Sequence, residues 1–308
     1  MIYYFHKNMK RPITIILVCI LFAYLFMVNH FVHLDLTGDA GKLYVKDQVD
    51  YFKTELNQKS NYASTEYQVI LNKIKISEYE YENIDDIHTY TVNFKLIEHH
   101  QFLIWFLVLL FVVCVDVGQN ALNKRSQIKK SLLNHFLIGM LFALILMLSE
   151  LVFSLIIGFI SLDFKSFFQP VLAIRNDHIE SMSFINYILI TRFFYFIQIA
   201  VICMFGVFAS RIFNETSKNI AAIMFSLFII FMILAFSRDL IAGAIDKYFF
   251  VFYNLHSYTL IDMSSYIVED TSFAFALCIH LMYFLLFLIG AWFFSIRQLN
   301  IDANLIKR

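Results

Sequence analysis

Six apolar runs, continuous rather than alternating, constrain this chain more than any other feature. They cover about residues 13–32, 102–117, 136–162, 184–208, 220–236 and 273–296. A helix rising ~1.5 Å per residue needs about 20 apolar residues to cross ~30 Å of hydrocarbon, and these runs are close to that length. Strands of a transmembrane barrel would instead alternate polar and apolar positions over about ten residues. Composition agrees with helices in lipid: 60% of the 308 residues are hydrophobic, 16% are charged and the mean hydropathy is +0.68, beyond what a soluble core requires. The only two prolines, Pro12 and Pro170, fall at or outside the ends of the runs, where a missing amide hydrogen costs least. The expected fold is an all-α polytopic membrane protein with six transmembrane helices in one domain.

Charge gives the orientation. Short cytoplasmic segments retain Lys and Arg, and twelve of the 24 basic residues fall in segments 1–12, 118–135, 209–219 and 297–308. Asp116, Glu215 and Asp302 are the only acids in or beside them. Both termini are therefore expected in the cytoplasm. The N-terminal MIYYFHKNMKRP resembles the charged head of a signal peptide, but no small-x-small cleavage site follows, so an uncleaved first helix is expected. One larger extracytoplasmic loop, 34–98, lies between the first two helices. Its Val45, Val49, Phe52 and Leu56 recur at helical spacing, and HTYTVNFKLI alternates like a strand. A cap on the first two helices and a ligand-sensing ectodomain are both open readings of it.

Residues that would carry chemistry are few. The four cysteines (Cys19, Cys114, Cys203, Cys278) sit singly in apolar runs, which excludes a disulfide framework and paired zinc-ligand spacing and leaves them as small core residues. No GxxxxGK[ST] phosphate loop, GxSxG or HExxH is present, so no catalytic residue and no cofactor of its own are expected. His30, His33, His99 and His100 converge on one surface and are read as interfacial histidines ahead of a metal site. Arg238 and Asp239 read as an interface anchor. Glu150, deep in the third run, needs a partner or water because an isolated charge in hydrocarbon is expensive. Arg192 enters the fourth run at similar depth if the two helices are antiparallel neighbours. The two are expected either as an ion pair tying those helices together or as part of a pathway; a protonated, unpaired Glu150 is the remaining alternative.

Between the second and third runs, NALNKRSQIKKSLLNHF (120–136) gathers Lys124, Arg125, Lys129 and Lys130 with no acid. Ile128, Leu132 and Phe136 make an apolar stripe at i, i+4, i+8. Such a segment suits anionic lipid. The layout of cytoplasmic N-terminal cations, one helix, a larger external segment and a helix ending in VDVGQNALNKRSQIKKSLLNHFLIGM resembles the permease subunit of a type-2 ABC transporter. The link FASRIFNETSKNIAAIMF and the short basic tail are similar to that family as well, whereas its frequent Pro-and-Arg pattern after the second helix is missing here.

The resemblance implies docking of the cytoplasmic coupling segment 118–135 on separate ABC ATPase subunits, which bind the ATP. Lys124, Arg125, Lys129 and Lys130 would supply charge to that contact, and Ile128 and Leu132 its buried anchor. It also implies a second permease copy, identical or similar, in a bacterial plasma membrane, with no nucleic acid among the partners. The 36 Phe and 17 Tyr suit amphipathic cargo. Exported or self-protective antimicrobial peptides, of the bacteriocin immunity kind, head the expectation, ahead of lipid or drug-like compounds and then other solutes. A six-helix sensor or assembly factor without transport activity is the alternative, and a membrane enzyme the third.

Overall fold

A computed structural model describes residues 2–10, 12–36, 39–58, 64–82, 101–115, 125–161, 170–175, 178–213, 218–224, 255 and 272–306. The described chain is nearly all helical. In order it forms α1 (Ile2–Met9), α2 (Pro12–Leu36), α3 (Asp39–Gln58), α4 (Ser64–Glu82), α5 (Gln101–Cys114), α6 (Arg125–Ser161), β1 (Pro170–Arg175), β2 (His178–Ser183), α7 (Phe184–Ala209) and α8 (Phe273–Ile306). Residues 218–224 add a short helical segment.

The helix ends follow local chemistry. Pro12 opens α2, a position whose amide would have no intrahelical partner in any case. Two residues on, Thr14 Oγ1 donates back to the carbonyl of Asn8 at 2.7 Å and holds α1 against the start of α2. Ser272 caps α8: its Oγ accepts from the amide of Phe275 at 3.2 Å and its carbonyl from that of Ala276 at 2.9 Å. Among the described residues the one departure from helix is an antiparallel hairpin, β1 with β2, in register from Pro170 opposite Ser183 to Arg175 opposite His178.

Three helical stretches among the described residues are long and apolar enough to cross a membrane: Gln127–Val152, Leu189–Ala209 and Phe273–Arg297. Thr14–Tyr24 and Leu103–Cys114 are shorter apolar helices. Beyond 224, the run expected at 220–236 lies outside the described residues, as do Arg238 and Asp239. Large apolar side chains stand exposed along α8 at Leu281, Leu285, Ile289 and Phe293, one face at i, i+4, i+8, i+12. In water that face would drive association; in hydrocarbon it is solvated. The protein is a membrane protein on this ground.

The core lies among α5, α6 and α7, with α2 and α8 packed around them. Phe111 of α5 stacks on Phe142 of α6 with ring centroids 3.8 Å apart. Val112 inserts where both neighbours carry glycine. A Cβ at Gly139 of α6 would come 2.6 Å from Val112 Cγ2, and one at Gly206 of α7 would come 2.8 Å from Val112 Cγ1 and 2.9 Å from its Cβ. Small residues that admit a close backbone approach are the expected means of packing helices in lipid, where burial of apolar surface gives no net drive.

Direction follows from the contacts. Ser131, Gly139 and Glu150 of α6 meet Arg211, Cys203 and Arg192, so residue numbers rise on α6 as they fall beyond and along α7. Those two helices are antiparallel. By contrast Phe194, Phe205 and Phe208 of α7 meet Phe273, Phe287 and Phe294 of α8, numbers rising together. These two are parallel.

Outside this bundle, α3 and α4 pack on each other around Phe52, Ile70 and Ile74. Lys53 Nζ lies 2.7 Å from Glu78 Oε1 and the Lys73 ammonium 5.6 Å from the centre of the Phe52 ring. The helical stripe anticipated in this loop is real in that Val49 and Phe52 are both buried. HTYTVNFKLI lies outside the described residues.

Candidate functional site

Two polar layers cross the α6–α7 contact, nineteen residues apart on each side, which is about 28 Å at ~1.5 Å per residue. The first contains Glu150 and Arg192. Arg192 Nη1 lies 3.2 Å from Glu150 Oε2, with the carboxylate fully buried and the Arg192 side chain 15% exposed. The guanidinium also sits 5.5 Å from the centre of the Tyr195 ring, which stacks in turn on Trp105 of α5 at 6.5 Å. One charged pair and two aromatic rings thus join three helices at a depth where a lone charge would be costly.

The second layer was not anticipated from the sequence. Arg211, just past α7, is the largest fully buried side chain among the described residues. Its Nη2 donates to Ser131 Oγ of α6 at 3.1 Å. Burial pushes this guanidinium down to about 10, so it is still cationic at neutral pH. One turn along α6 from Ser131, the buried His135 donates from Nε2 to the carbonyl of Val112 at 2.6 Å, tying in the end of α5. The hydrogen sits on Nε2 because a carbonyl only accepts.

The chain beyond α7 is pinned as tightly. The last turn closes through i to i+3 bonds such as Arg211 N–H to the Phe208 carbonyl, 2.9 Å. Asn219, buried, then accepts from the Phe213 amide at 2.9 Å and donates to the carbonyls of Phe213 and Ser210 at 3.0 and 3.2 Å. All its side-chain atoms serve one turn. Asn219→Ala is expected to cost about 1–3 kcal/mol by leaving buried backbone groups unsatisfied. Asn219→Asp should cost at least as much, since two donated bonds become contacts between oxygens. Thermal unfolding of the purified protein measures both.

The segment expected to dock an ATPase falls partly within the described residues. Lys124 lies outside the described residues, and Arg125 begins α6. Lys129 and Lys130 are exposed, but Ile128 and Leu132 are buried, 0% and 4% exposed, in the core shared with α5 and α7. Their stripe is therefore used inside the chain and fastens the start of α6 to the bundle. Leu133, 56% exposed, is the large apolar side chain that this stretch presents outward. Of the cysteines only Cys203 is buried; Cys19 and Cys278 face outward and Cys114 is half-buried, so the core role fits one of the four. The His99 and His100 pair lies outside the described residues, and among the described residues no group of His, Cys, Asp and Glu is arranged to hold a metal. Compared with family models, curated proteins and solved structures, the chain finds no match.

Proposed function

We propose that the chain is the permease subunit of an ATP-driven ABC exporter, forming a pathway with a second permease copy and driven by separate ATPase subunits at its cytoplasmic end. The observation that carries this reading is α6. Its 37 residues extend about 55 Å without a break, further than the ~30 Å of hydrocarbon. Exposed Lys129 and Lys130 stand near its first turn, and the same helix is tied to α7 at Ser131 and again at Glu150. A rigid rod gripped at a charged end and fixed to its neighbour at two levels suits transmission of a push from a cytosolic motor into the membrane.

Six crossings fit as well. Two parallel neighbours, α7 and α8, that both span require an odd number of crossings between them, and the run at 220–236 supplies one. Both termini then lie on the cytoplasmic side with Lys129, Lys130, Lys218 and Arg297, all exposed. Cargo of amphipathic or peptide character, exported or cleared for self-protection across a bacterial plasma membrane, is the matching substrate class.

The α3–α4 pair, with a small core of its own, favours a second reading, a six-helix sensor whose external helices bind a ligand and which moves nothing. Copurification separates the two. An ATPase with a phosphate-binding loop is expected to copurify with the unaltered chain, and Lys129→Glu with Lys130→Glu is expected to cut its recovery at least fivefold. Absence of any ATPase from the purified assembly, together with no ATP-dependent cargo movement in vesicles, would remove the exporter reading and leave the sensor.

A further inference from the structure

Phe213 stands out among the exposed large apolar side chains. It is 42% exposed, a phenyl ring presented four residues past the end of α7. An exposed ring just beyond a helix end is ordinarily free to fold back. Here the backbone of Phe213 is held on both sides, its amide and its carbonyl each bonded to Asn219, at 2.9 and 3.0 Å. Two residues before it, Arg211 is buried and bonded to Ser131 of α6. The ring is thus preorganised: its backbone is already ordered, so a partner that takes it up bears little ordering cost.

We infer that Phe213 is the anchor of a protein-docking surface, inserting into an apolar pocket on a cytosolic partner whose rim is acidic. The acidic rim follows from charge. Lys129, Lys130 and Lys218 are exposed on this end of the bundle, Lys129 and Lys130 next to Ser131, which Arg211 contacts, and Lys218 next to the clamping Asn219. A buried aromatic anchor within a charged rim is the arrangement in which few residues carry most of an interface's affinity. The Arg211–Ser131 bond gives the contact a consequence, because a displacement of the turn is delivered to α6 without passing through flexible chain. This rests on the exporter reading for the identity of the partner, an ATPase subunit. It adds that the grip lies on the second cytoplasmic link as well as on α6, with Ile128 and Leu132 occupied elsewhere.

The test uses the full-length chain coexpressed with the ATPase that copurifies with it. Phe213→Asp is expected to lower ATPase recovery at least tenfold while the membrane protein keeps its yield and elution position, and Phe213→Leu is expected to retain at least half. Unchanged recovery with Phe213→Asp overturns the docking surface and leaves the exporter reading in place. Failure of the unaltered chain to hold any ATPase overturns both. A second measurement separates a protein partner from lipid. The chain has two tryptophans, Trp105 and Trp292; with both changed to Phe, Phe213→Trp reports from the turn alone. In liposomes its emission is expected to be that of a water-exposed indole, unquenched by brominated phosphatidylcholine, and to shift to the blue when the ATPase is added. Quenching by the brominated lipid before any addition would identify Phe213 as a membrane anchor and overturn the proposal.

Discussion

Gly139→Ala is expected to destabilise the bundle by about 1–3 kcal/mol, the usual range for an added methyl group in a packed core, and Val112→Ala is expected to relieve much of that cost. The added Cβ would meet Val112 Cγ2 at 2.6 Å, and alanine at 112 removes that atom. Cys203 Sγ, 3.3 Å away, remains the next neighbour and needs to give only slightly. Gly206→Ala supplies the contrast. Its Cβ would meet the Cβ of Val112 at 2.9 Å as well as Cγ1 at 2.8 Å, and Val112→Ala keeps the Cβ. Relief there should be partial, and the helices must move apart. Because Val112→Ala alone leaves a cavity, the quantity to measure is the coupling in a double-mutant cycle, taken from thermal unfolding in detergent. A larger favourable coupling for the 206 pair than for the 139 pair would contradict the close approach described for α5.

That pinch has a functional corollary. The contacts of Val112 with α6 and α7, and the Phe111–Phe142 stack beside it, leave the three-helix core closely packed at this level. A pathway for amphipathic cargo would then run along the outer faces of the bundle and need a second copy to enclose it, which is how the exporter reading has it.

Much of the architecture could be read before any coordinates. Apolar length alone locates the helices long enough to cross a membrane, α6, α7 and α8, because hydrocarbon thickness acts along the whole length of a helix. The meeting of Glu150 with Arg192 follows from the same arithmetic, depth along two antiparallel rods. Direction around a helix axis was harder. Ile128 and Leu132 form a clear stripe, but a stripe states only that something covers it, and here the cover is α5 and α7 of the same chain rather than a partner. Arg211 and Asn219 were hidden for a related reason. Each is an ordinary polar residue in a short link, and what distinguishes them is burial, which depends on helices distant in sequence. The one available signal was composition, since a cation and an amide flank a lone Phe in a link of about ten residues. The hairpin was illegible from run length because its two strands are only six residues each.

Glu150 and Arg192 give the sharpest division between a tie and a pathway. Removing one partner leaves the other charge buried with its solvation unpaid, so Glu150→Leu and Arg192→Met are each expected to cost about 3–5 kcal/mol. Replacing both together removes both charges and fills a similar volume, and buried pairs exchanged in this way for apolar residues are often neutral. The double variant should therefore unfold within a few degrees of the unaltered protein, with Tyr195 still stacked on Trp105 to join α7 to α5. Stability recovered in the double variant is expected of either role; cargo movement in vesicles decides between them. If the pair only fastens α6 to α7, the double variant moves cargo at close to the normal rate and both single variants fail through loss of folded protein. If the charges contact cargo, the double variant is stable and inactive. The geometry favours the tie: the carboxylate is fully buried and the guanidinium nearly so, with Tyr195 beside the cation, which leaves little of either charge for a passing molecule to touch.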